Sequence, residues 1–167
     1  TLGYPNEEVR VGLMDMFIPF FVSPDTIGAS NACWDISEGF LDDDVDKALS
    51  AARSFFASIP YQEGTLKNAP ISEGHFTAML YVMFSFLNRY VYSQVRTSNG
   101  RLDILVKTHT TIYVMELKMD GSADEALQQI DDKGYTIPYE TDGRKIVKVA
   151  INFSSKERTI KEWKVKR

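Results

Sequence analysis

The sequence predicts an α/β fold in which a mixed central sheet is flanked by helices, with a helical layer formed by the N-terminal part of the chain. Two observations predict this fold. Apolar residues recur at helical spacing in residues 6–22, 42–59 and 72–89. After residue 90 the pattern becomes strand, hairpin, helix and strand. A hairpin is antiparallel, whereas strands joined through a helix run parallel, so the predicted sheet contains both kinds of pairing.

Composition limits the class of protein. The 167 residues, 44% of them hydrophobic, are enough for one folded domain, predicted to span 1–167 with a helical layer (1–70) and a core (71–167). No apolar run approaches the roughly 20 residues that cross a bilayer. A single cysteine, Cys33, excludes an internal disulfide and favours a cytoplasmic location. With one cysteine and two histidines, a structural zinc site is not expected.

Turn and breaker residues divide the N-terminal part into elements. The first helical pattern, 6–22, is limited by Pro19, and residues 24–32 are predicted to form a turn. The second helix, 42–59, begins with acidic residues and is followed by Pro60. A polar connector covers 61–70. Ser72 is a suitable N-cap for a third helix that runs to about residue 89.

The next elements are predicted to be a strand at 90–96 and a hairpin. Two β-rich runs, 102–108 and 111–119, flank a polar tip. A loop of two residues or of four gives the same pairing, in which the numbers of facing residues sum to 219. Asp103 would then face Glu116, and Arg101 would face Lys118.

The remaining elements complete the sheet. Ser122 and Glu125 form a capping box that opens a helix running to about Lys133, and Gly134 suits its C-terminal end. Residues 145–153 are strongly apolar and predict a strand parallel to the 111–119 strand. Residues 159–165 predict an edge strand that carries Trp163.

Charged side chains are predicted to converge at one end of the hairpin. Glu116 and Lys118 share a strand face, and Asp103 joins them from the neighbouring strand. Such a Glu-x-Lys pattern is common on solvated faces, but apolar residues on both faces of this strand indicate burial. Two facing carboxylates destabilise a sheet. A bound Mg²⁺, which prefers oxygen ligands, would offset their repulsion, so the pattern predicts a metal site.

These residues also carry a family resemblance. The pattern Gly-Arg-x-Asp followed by Glu-x-Lys on the next strand resembles the core signature of the PD-(D/E)XK nuclease superfamily. The chain is most similar to the nuclease-like domain that follows an AAA-ATPase-like domain in uncharacterised bacterial proteins. The resemblance extends over residues 3–10, Thr97-Ser98, 100–103, 116–118, 121–123, 126–130, 133–135, 142–145, 152–154 and Trp163.

The resemblance implies a restriction-endonuclease-like fold and a metal-dependent nuclease. Asp103, Glu116 and Lys118 would be catalytic, with Gln129 directed at the active site. Mg²⁺ or Mn²⁺ would be held by Asp103, Glu116 and the Leu117 carbonyl. Glu73 would join both the catalytic and the metal-binding sets, although a glutamate in the first turn of a helix is also explained by the helix dipole.

Charge is distributed unevenly along the chain. Residues from 133 onward carry ten basic and four acidic side chains, and the rest of the chain has a net charge of −10. The basic segment is either a solvated tail or a surface that contacts phosphates. On the second interpretation, Lys133, Arg144 and Lys145 would bind nucleic acid together with Arg101. For Arg101, a structural pairing with Asp103 or Glu116 is the alternative.

The function expected from the sequence is hydrolysis of phosphodiester bonds in nucleic acid, with DNA the first candidate. An AAA-ATPase-like domain would precede the nuclease-like part in the full-length protein. The alternative is a non-catalytic regulatory or partner-binding module of an ATPase-linked protein. The chain lacks a P-loop, a nucleophile elbow and a dinucleotide-binding fingerprint, so other common enzyme classes have no support in its motifs.

Overall fold

A computed structural model describes residues 26–58, Thr77, Leu80 and residues 91–167 of the chain. Its α-helices are α1 (Thr26–Leu41), α2 (Val45–Ser58) and α3 (Ala123–Asp132), and a short 3₁₀ helix covers Ile137–Tyr139. The strands are β1 (Val91–Thr97), β2 (Gly100–Lys107), β3 (Thr111–Met119), β4 (Lys145–Ser154) and β5 (Thr159–Lys166). Within these residues, no helix is both long and apolar enough to cross a membrane.

The five described strands form one sheet in the order β1-β2-β3-β4-β5. β1 with β2, β2 with β3, and β4 with β5 are antiparallel, whereas β3 and β4 are parallel. The parallel pair arises because α3 returns the chain to the same end of the sheet. The predicted α/β fold with a mixed central sheet flanked by helices is confirmed.

The hairpin of β2 and β3 has the predicted register. Its paired residues run from Ile104–Met115 to Lys107–Ile112, and each pair sums to 219. Thr108 and Thr111 close the tip, because the Thr108 amide donates to the Thr111 carbonyl at 2.8 Å and the Thr111 amide donates to the Thr108 hydroxyl at 3.0 Å. The paired residues do not extend to Asp103 and Glu116 or to Arg101 and Lys118, the two facing pairs predicted from the sequence. Asp103 instead contacts β3 through its side chain.

Each face of the sheet is covered by helical residues. On one face, α1 and α2 pack against odd-numbered β3 residues through a cluster that includes Phe40, Phe56 and Tyr113. On the other face, Ile130 of α3 packs with Ile112 and Val114. β3 is therefore buried on both sides, as its apolar residues predict, and its charged end emerges at the edge of this core.

The prediction of a turn at 24–32 was wrong, because α1 begins at Thr26. The segment contains Gly28, Ser30 and Asn31, which have low helix propensity and are frequent in turns. Tertiary packing overrides this preference. Ile36 and Phe40, later in the same helix, are completely buried. The second predicted helix is confirmed as α2, although its first turn begins at Val45, after a turn that contains Asp43.

The ends of α3 follow the sequence prediction. The Ser122 hydroxyl accepts from the Glu125 amide at 3.1 Å, and the Glu125 carboxylate accepts from the Ser122 amide at 2.9 Å. At the other end, Gly134 has φ +60° and the Tyr135 amide donates to the Ile130 carbonyl at 3.1 Å. These contacts satisfy backbone groups that a helix leaves unpaired at its ends. The helix that carries Gln129 is thus fixed at both termini.

Some predicted elements lie outside the described residues. They are the 6–22 helix, the 61–70 connector and most of the 72–89 helix. Thr77 and Leu80 are described, and both are helical and buried, as expected for the third helix. The proposed boundary between a helical layer and a core at residue 70 stays a prediction.

Candidate active site

Asp103 is held between the two strands that flank β2. Its Oδ2 accepts from the Leu117 amide of β3 at 3.0 Å, and its Oδ1 accepts from Nε2 of Gln94 of β1 at 3.3 Å. The residue is 8% exposed. The Asp103 side chain therefore lies at the β3 backbone directly beside Glu116.

Glu116, Lys118 and Gln129 form a connected group. Gln129 Nε2 donates to Glu116 Oε1, and Lys118 Nζ donates to Gln129 Oε1. Lys118 Nζ is also 3.9 Å from Glu116 Oε1. The Glu116 side chain is 3% exposed and that of Lys118 is 25% exposed. A buried carboxylate is thus joined through one amide to a cation that is partly exposed to solvent.

The loop between β3 and α3 sets the position of Gln129. Asn152, fully buried on β4, accepts from the Gly121 amide at 3.1 Å and donates to the Gly121 carbonyl at 2.7 Å. Glu162 of β5 accepts from the Ala123 amide at 3.0 Å. A carboxylate at a helix N-terminus is stabilised by the helix dipole. These two residues fix the start of α3 relative to the strand that carries Glu116 and Lys118.

The role of Asn152 in this anchoring was not predicted from the sequence. The available signal was a single amide residue within the strongly apolar strand at 145–154. A buried amide needs hydrogen-bond partners, and an adjacent loop supplies backbone groups. Because Asn152 and Gly121 are 31 residues apart, no local sequence pattern could predict this pairing.

The contact of Gln94 with Asp103 was also not predicted from the sequence. Gln94 has φ +51° in the middle of β1, a conformation that non-glycine residues rarely adopt. Residues on either side of it pair regularly with β2. The distorted backbone occurs where the Gln94 amide reaches Asp103. Local strain of this kind concentrates at functional sites.

Gly100, at the start of the Gly-Arg-x-Asp pattern, is required by close packing. It has φ +156°, and a Cβ added there would lie 2.8 Å from the Tyr135 hydroxyl oxygen. Tyr135 is almost fully buried and its hydroxyl donates to the Arg101 carbonyl at 3.1 Å. A residue after α3 therefore holds the start of β2 in place, two residues before Asp103.

The predicted metal ligands can be compared with the chemistry of Mg²⁺. Asp103 and Glu116 offer buried carboxylate oxygens on adjacent strands. The part of the chain that the structure describes contains no group of three or more His, Cys, Asp or Glu residues that could hold a metal. Glu73, the third predicted carboxylate, lies outside the described residues. Mg²⁺ is commonly bound through only one or two carboxylates together with substrate phosphate and water, so the donor set fits this ion.

The predicted nucleic-acid contacts differ in their surroundings. Arg144 forms two hydrogen bonds with the Asp142 carboxylate, at 2.5 and 2.8 Å, and lowers the pKa of that carboxyl group. Lys145 pairs with Asp43 at 2.5 Å. Lys133 and Arg101 are exposed. Two of the four predicted contacts are therefore engaged in ion pairs within the protein, and two project from its surface.

Comparisons with known proteins give two findings. Residues 71–163 match the PD-(D/E)XK nuclease superfamily, and this region is more than half of the chain. The chain is also 30% identical over 163 residues to a protein of Azotobacter chroococcum mcd 1 described as "Uncharacterized protein in vnfD 5'region". The match covers 95% of this chain and 31% of that protein.

The chain thus spans about a third of the length of this relative. No solved structure matches the chain. The superfamily match includes β2, β3 and α3, the three elements that bring Asp103, Glu116, Lys118 and Gln129 together. On this basis, the chain belongs to the PD-(D/E)XK nuclease superfamily.

Proposed function

We propose that this domain is a metal-dependent nuclease that hydrolyses phosphodiester bonds of nucleic acid, with DNA as the first substrate to test. The observation that carries the proposal is the contact of Gln129 with both Glu116 and Lys118, beside Asp103 on the adjacent strand. Membership of the nuclease superfamily supports the same reaction class. A carboxylate pair next to a reachable cation supplies groups that phosphodiester hydrolysis needs.

Asp103 and Glu116 would hold Mg²⁺ or Mn²⁺, together with the Leu117 carbonyl and Glu73. When bound, such an ion lowers the pKa of a coordinated water and neutralises charge on the phosphate. Neighbouring protein residues orient the two carboxylates that would hold the ion. The Leu117 and Gln94 amides direct the Asp103 carboxylate, and Gln129 directs that of Glu116. Hydrogen bonds that fix the orientation of the metal-binding side chains in this way are a general feature of metal sites.

Lys118 would stabilise the negative charge that develops on the phosphoryl oxygens and orient the attacking water. Its ammonium group is held by the Gln129 carbonyl oxygen, while a quarter of its side chain remains exposed. A preorganised cation stabilises developing charge without having to reorganise during the reaction. Gln129 therefore serves as a positioning residue for both the carboxylate and the ammonium group.

We also propose that the protein is cytoplasmic and that an AAA-ATPase-like domain precedes this domain in the full-length protein. Support for a further domain comes from the length of the A. chroococcum relative, of which this chain matches about a third. In such an arrangement the nuclease would act on nucleic acid that another part of the same protein engages.

A second candidate function is a regulatory or partner-binding module. One observation favours it: several basic residues of the C-terminal segment are neutralised by acids of the protein itself, as in the Lys145–Asp43, Lys148–Asp131 and Lys164–Asp124 pairs. These residues supply less attraction for nucleic acid than the net charge of their segment indicates. Partner binding would not require that attraction.

The test is a digestion assay with single- and double-stranded DNA and RNA, with Mg²⁺, with Mn²⁺ and with chelator. We expect cleavage of at least one substrate only when metal is present, and its loss in Asp103→Asn. Asp35→Asn, the same change at an exposed position of α1, serves as the control and should cleave like the wild type. Absence of cleavage under all these conditions would support the partner-binding module.

A further inference from the structure

Two arginines face each other at the end of the hairpin formed by β1 and β2. Arg96 and Arg101 are direct partners in the register of these strands, and both are exposed. Facing residues of an antiparallel pair have their Cβ atoms about 4.5–5.5 Å apart. Like charges at this separation destabilise the pairing. A bound anion would relieve this repulsion.

The described part of the protein does not supply that anion. Within it, neither guanidinium group forms a hydrogen bond or a salt bridge. Several other basic side chains on this sheet or next to it have carboxylate partners. Examples are Arg144 with Asp142, Lys145 with Asp43, Lys148 and Lys166 with Asp131, and Lys164 with Asp124. Lys148 and Lys166 also face each other, on β4 and β5, but both pair with Asp131, whereas no carboxylate of the described residues bridges the two arginines.

The arginine pair lies next to the candidate active site. Arg101 is two residues before Asp103 on β2, a distance of about 7 Å along a strand. Arg96 is two residues after Gln94, whose amide contacts Asp103. The start of β2 is fixed, because the Tyr135 hydroxyl donates to the Arg101 carbonyl. An anion bound between these arginines would therefore lie at the end of β2 that carries Asp103.

We propose that Arg96 and Arg101 together bind one backbone phosphate of the nucleic-acid substrate, next to the phosphate that is cleaved. This inference rests on the proposed nuclease function and adds a substrate-binding residue, Arg96, for which sequence patterns gave no signal. The planar guanidinium group matches the geometry of phosphate oxygens and can donate two hydrogen bonds to them. A bound phosphate also removes the repulsion between the two arginines.

Binding is measured by fluorescence anisotropy with a labelled single-stranded DNA of about 20 nucleotides in chelator, so that cleavage does not interfere. We expect Arg96→Gln and Arg101→Gln each to weaken binding about tenfold, as for loss of charged hydrogen bonds. The double variant should lose less than the product of the two effects, because both residues bind one phosphate. For the double variant, the slope of the logarithm of the binding constant against the logarithm of the salt concentration should be smaller in magnitude than that of the wild type by about 0.7.

Arg53→Gln provides the matched control, because Arg53 is an exposed arginine on α2, which contacts β5 at the opposite edge of the sheet. It should bind DNA like the wild type. Equal affinity of the wild type and the double variant, or equal losses in Arg53→Gln, would overturn the inference. Competition by poly-glutamate as strong as that by unlabelled DNA would identify a carboxylate site and overturn it as well.

The inference and the proposed function fail in different ways. Arginine-dependent DNA binding without metal-dependent cleavage would refute the nuclease and leave the phosphate site standing. Cleavage with unchanged affinity in the double variant would refute the phosphate site and leave the nuclease standing. A melting experiment at low salt gives an independent reading: Arg96→Gln should raise the melting temperature of the free protein, and an unchanged or lowered value would contradict repulsion between the arginines.

Discussion

Gln129 uses both ends of its side-chain amide, and this explains why a neutral residue occupies the centre of a charged group. Its NH₂ donates to Glu116 and its carbonyl oxygen accepts from Lys118. A carboxylate at this position could not donate to Glu116, and an ammonium group could not accept from Lys118. The amide therefore satisfies two residues of opposite charge at once.

The first prediction concerns the contribution of Gln129 to stability. Gln129→Ala removes a donor from a nearly buried carboxylate, so we expect the free energy of unfolding to fall by about 1–3 kcal/mol. Gln128→Ala, one residue earlier, removes an exposed hydrogen bond to Asp132 and should cost about 0.2–0.5 kcal/mol. Urea unfolding of both variants measures the difference. Equal losses in the two variants would refute the role of Gln129 at Glu116.

Some contacts of the site residues could be predicted from the sequence, and others could not. The approach of Asp103 to the β3 backbone beside Glu116 follows from a two-strand register, which alternation and turn residues specify. The contact between Asp103 and Gln94 depends on a local distortion of β1, which no sequence pattern indicates. Lys145 lies 102 residues from Asp43, so its ion pair was hidden as well.

At the scale of elements, Asp43 connects the helical layer to the sheet. It lies in the turn between α1 and α2 with φ +62°. Its carboxylate accepts from the Tyr113 hydroxyl at 2.6 Å, from Lys145 Nζ at 2.5 Å and from the Thr111 hydroxyl at 3.3 Å. Burial and the adjacent carboxylate raise the pKa of Tyr113, which keeps its hydroxyl a donor.

These contacts give the second prediction, a dependence of stability on pH. Burial acts to raise the pKa of Asp43, but the hydrogen bonds from Lys145 and Tyr113 outweigh it, so the pKa lies below the ordinary value of 3.8. A lowered pKa in the folded state stabilises the protein above the unfolded-state pKa, and this stabilisation is lost as pH falls through the folded-state pKa. The contribution of Asp43 should therefore be complete at pH 6 and be lost as the pH falls below 3.8 and through the lowered pKa of the folded state.

Asp43→Asn tests this dependence, since asparagine also tolerates a positive φ. Unfolding free energies of the wild type and the variant should differ at pH 6 and converge as the pH is lowered below the ordinary carboxyl pKa. A constant difference across this range would show that the Asp43 charge does not link the turn to the sheet.

The strands were predicted more accurately than the first two helices. The predicted bounds of β1, β3, β4 and β5 agree with the structure to within one residue. α1 was missed because its residues favour turns, and the helix depends on packing against a sheet that lies later in the chain. Local preference is thus informative where it agrees with burial and misleading where tertiary contacts oppose it.

At the scale of the whole molecule, the charge asymmetry of the sequence has a largely internal explanation. Lys145, Lys148, Lys164 and Lys166 of the basic C-terminal segment pair with Asp43, Asp131 and Asp124 of the acidic remainder. Exposed pairs of this kind contribute about 0–1 kcal/mol each. Their larger effect is to neutralise positive charge at these positions, so that nucleic acid would be attracted mainly to the basic groups that remain.

The measurement that tests the central claim most directly is single-turnover cleavage by wild type and Lys118→Ala with saturating Mg²⁺ or Mn²⁺. Loss of one electrostatic donor from an active site typically costs about 10²–10³ in rate, so we expect a loss of that size with an unchanged melting temperature. Lys161→Ala, the same change on an exposed residue of β5, should retain the wild-type rate. If Lys118→Ala cleaves as fast as the wild type, or merely destabilises the domain, the group around Glu116 is structural and the nuclease mechanism is contradicted.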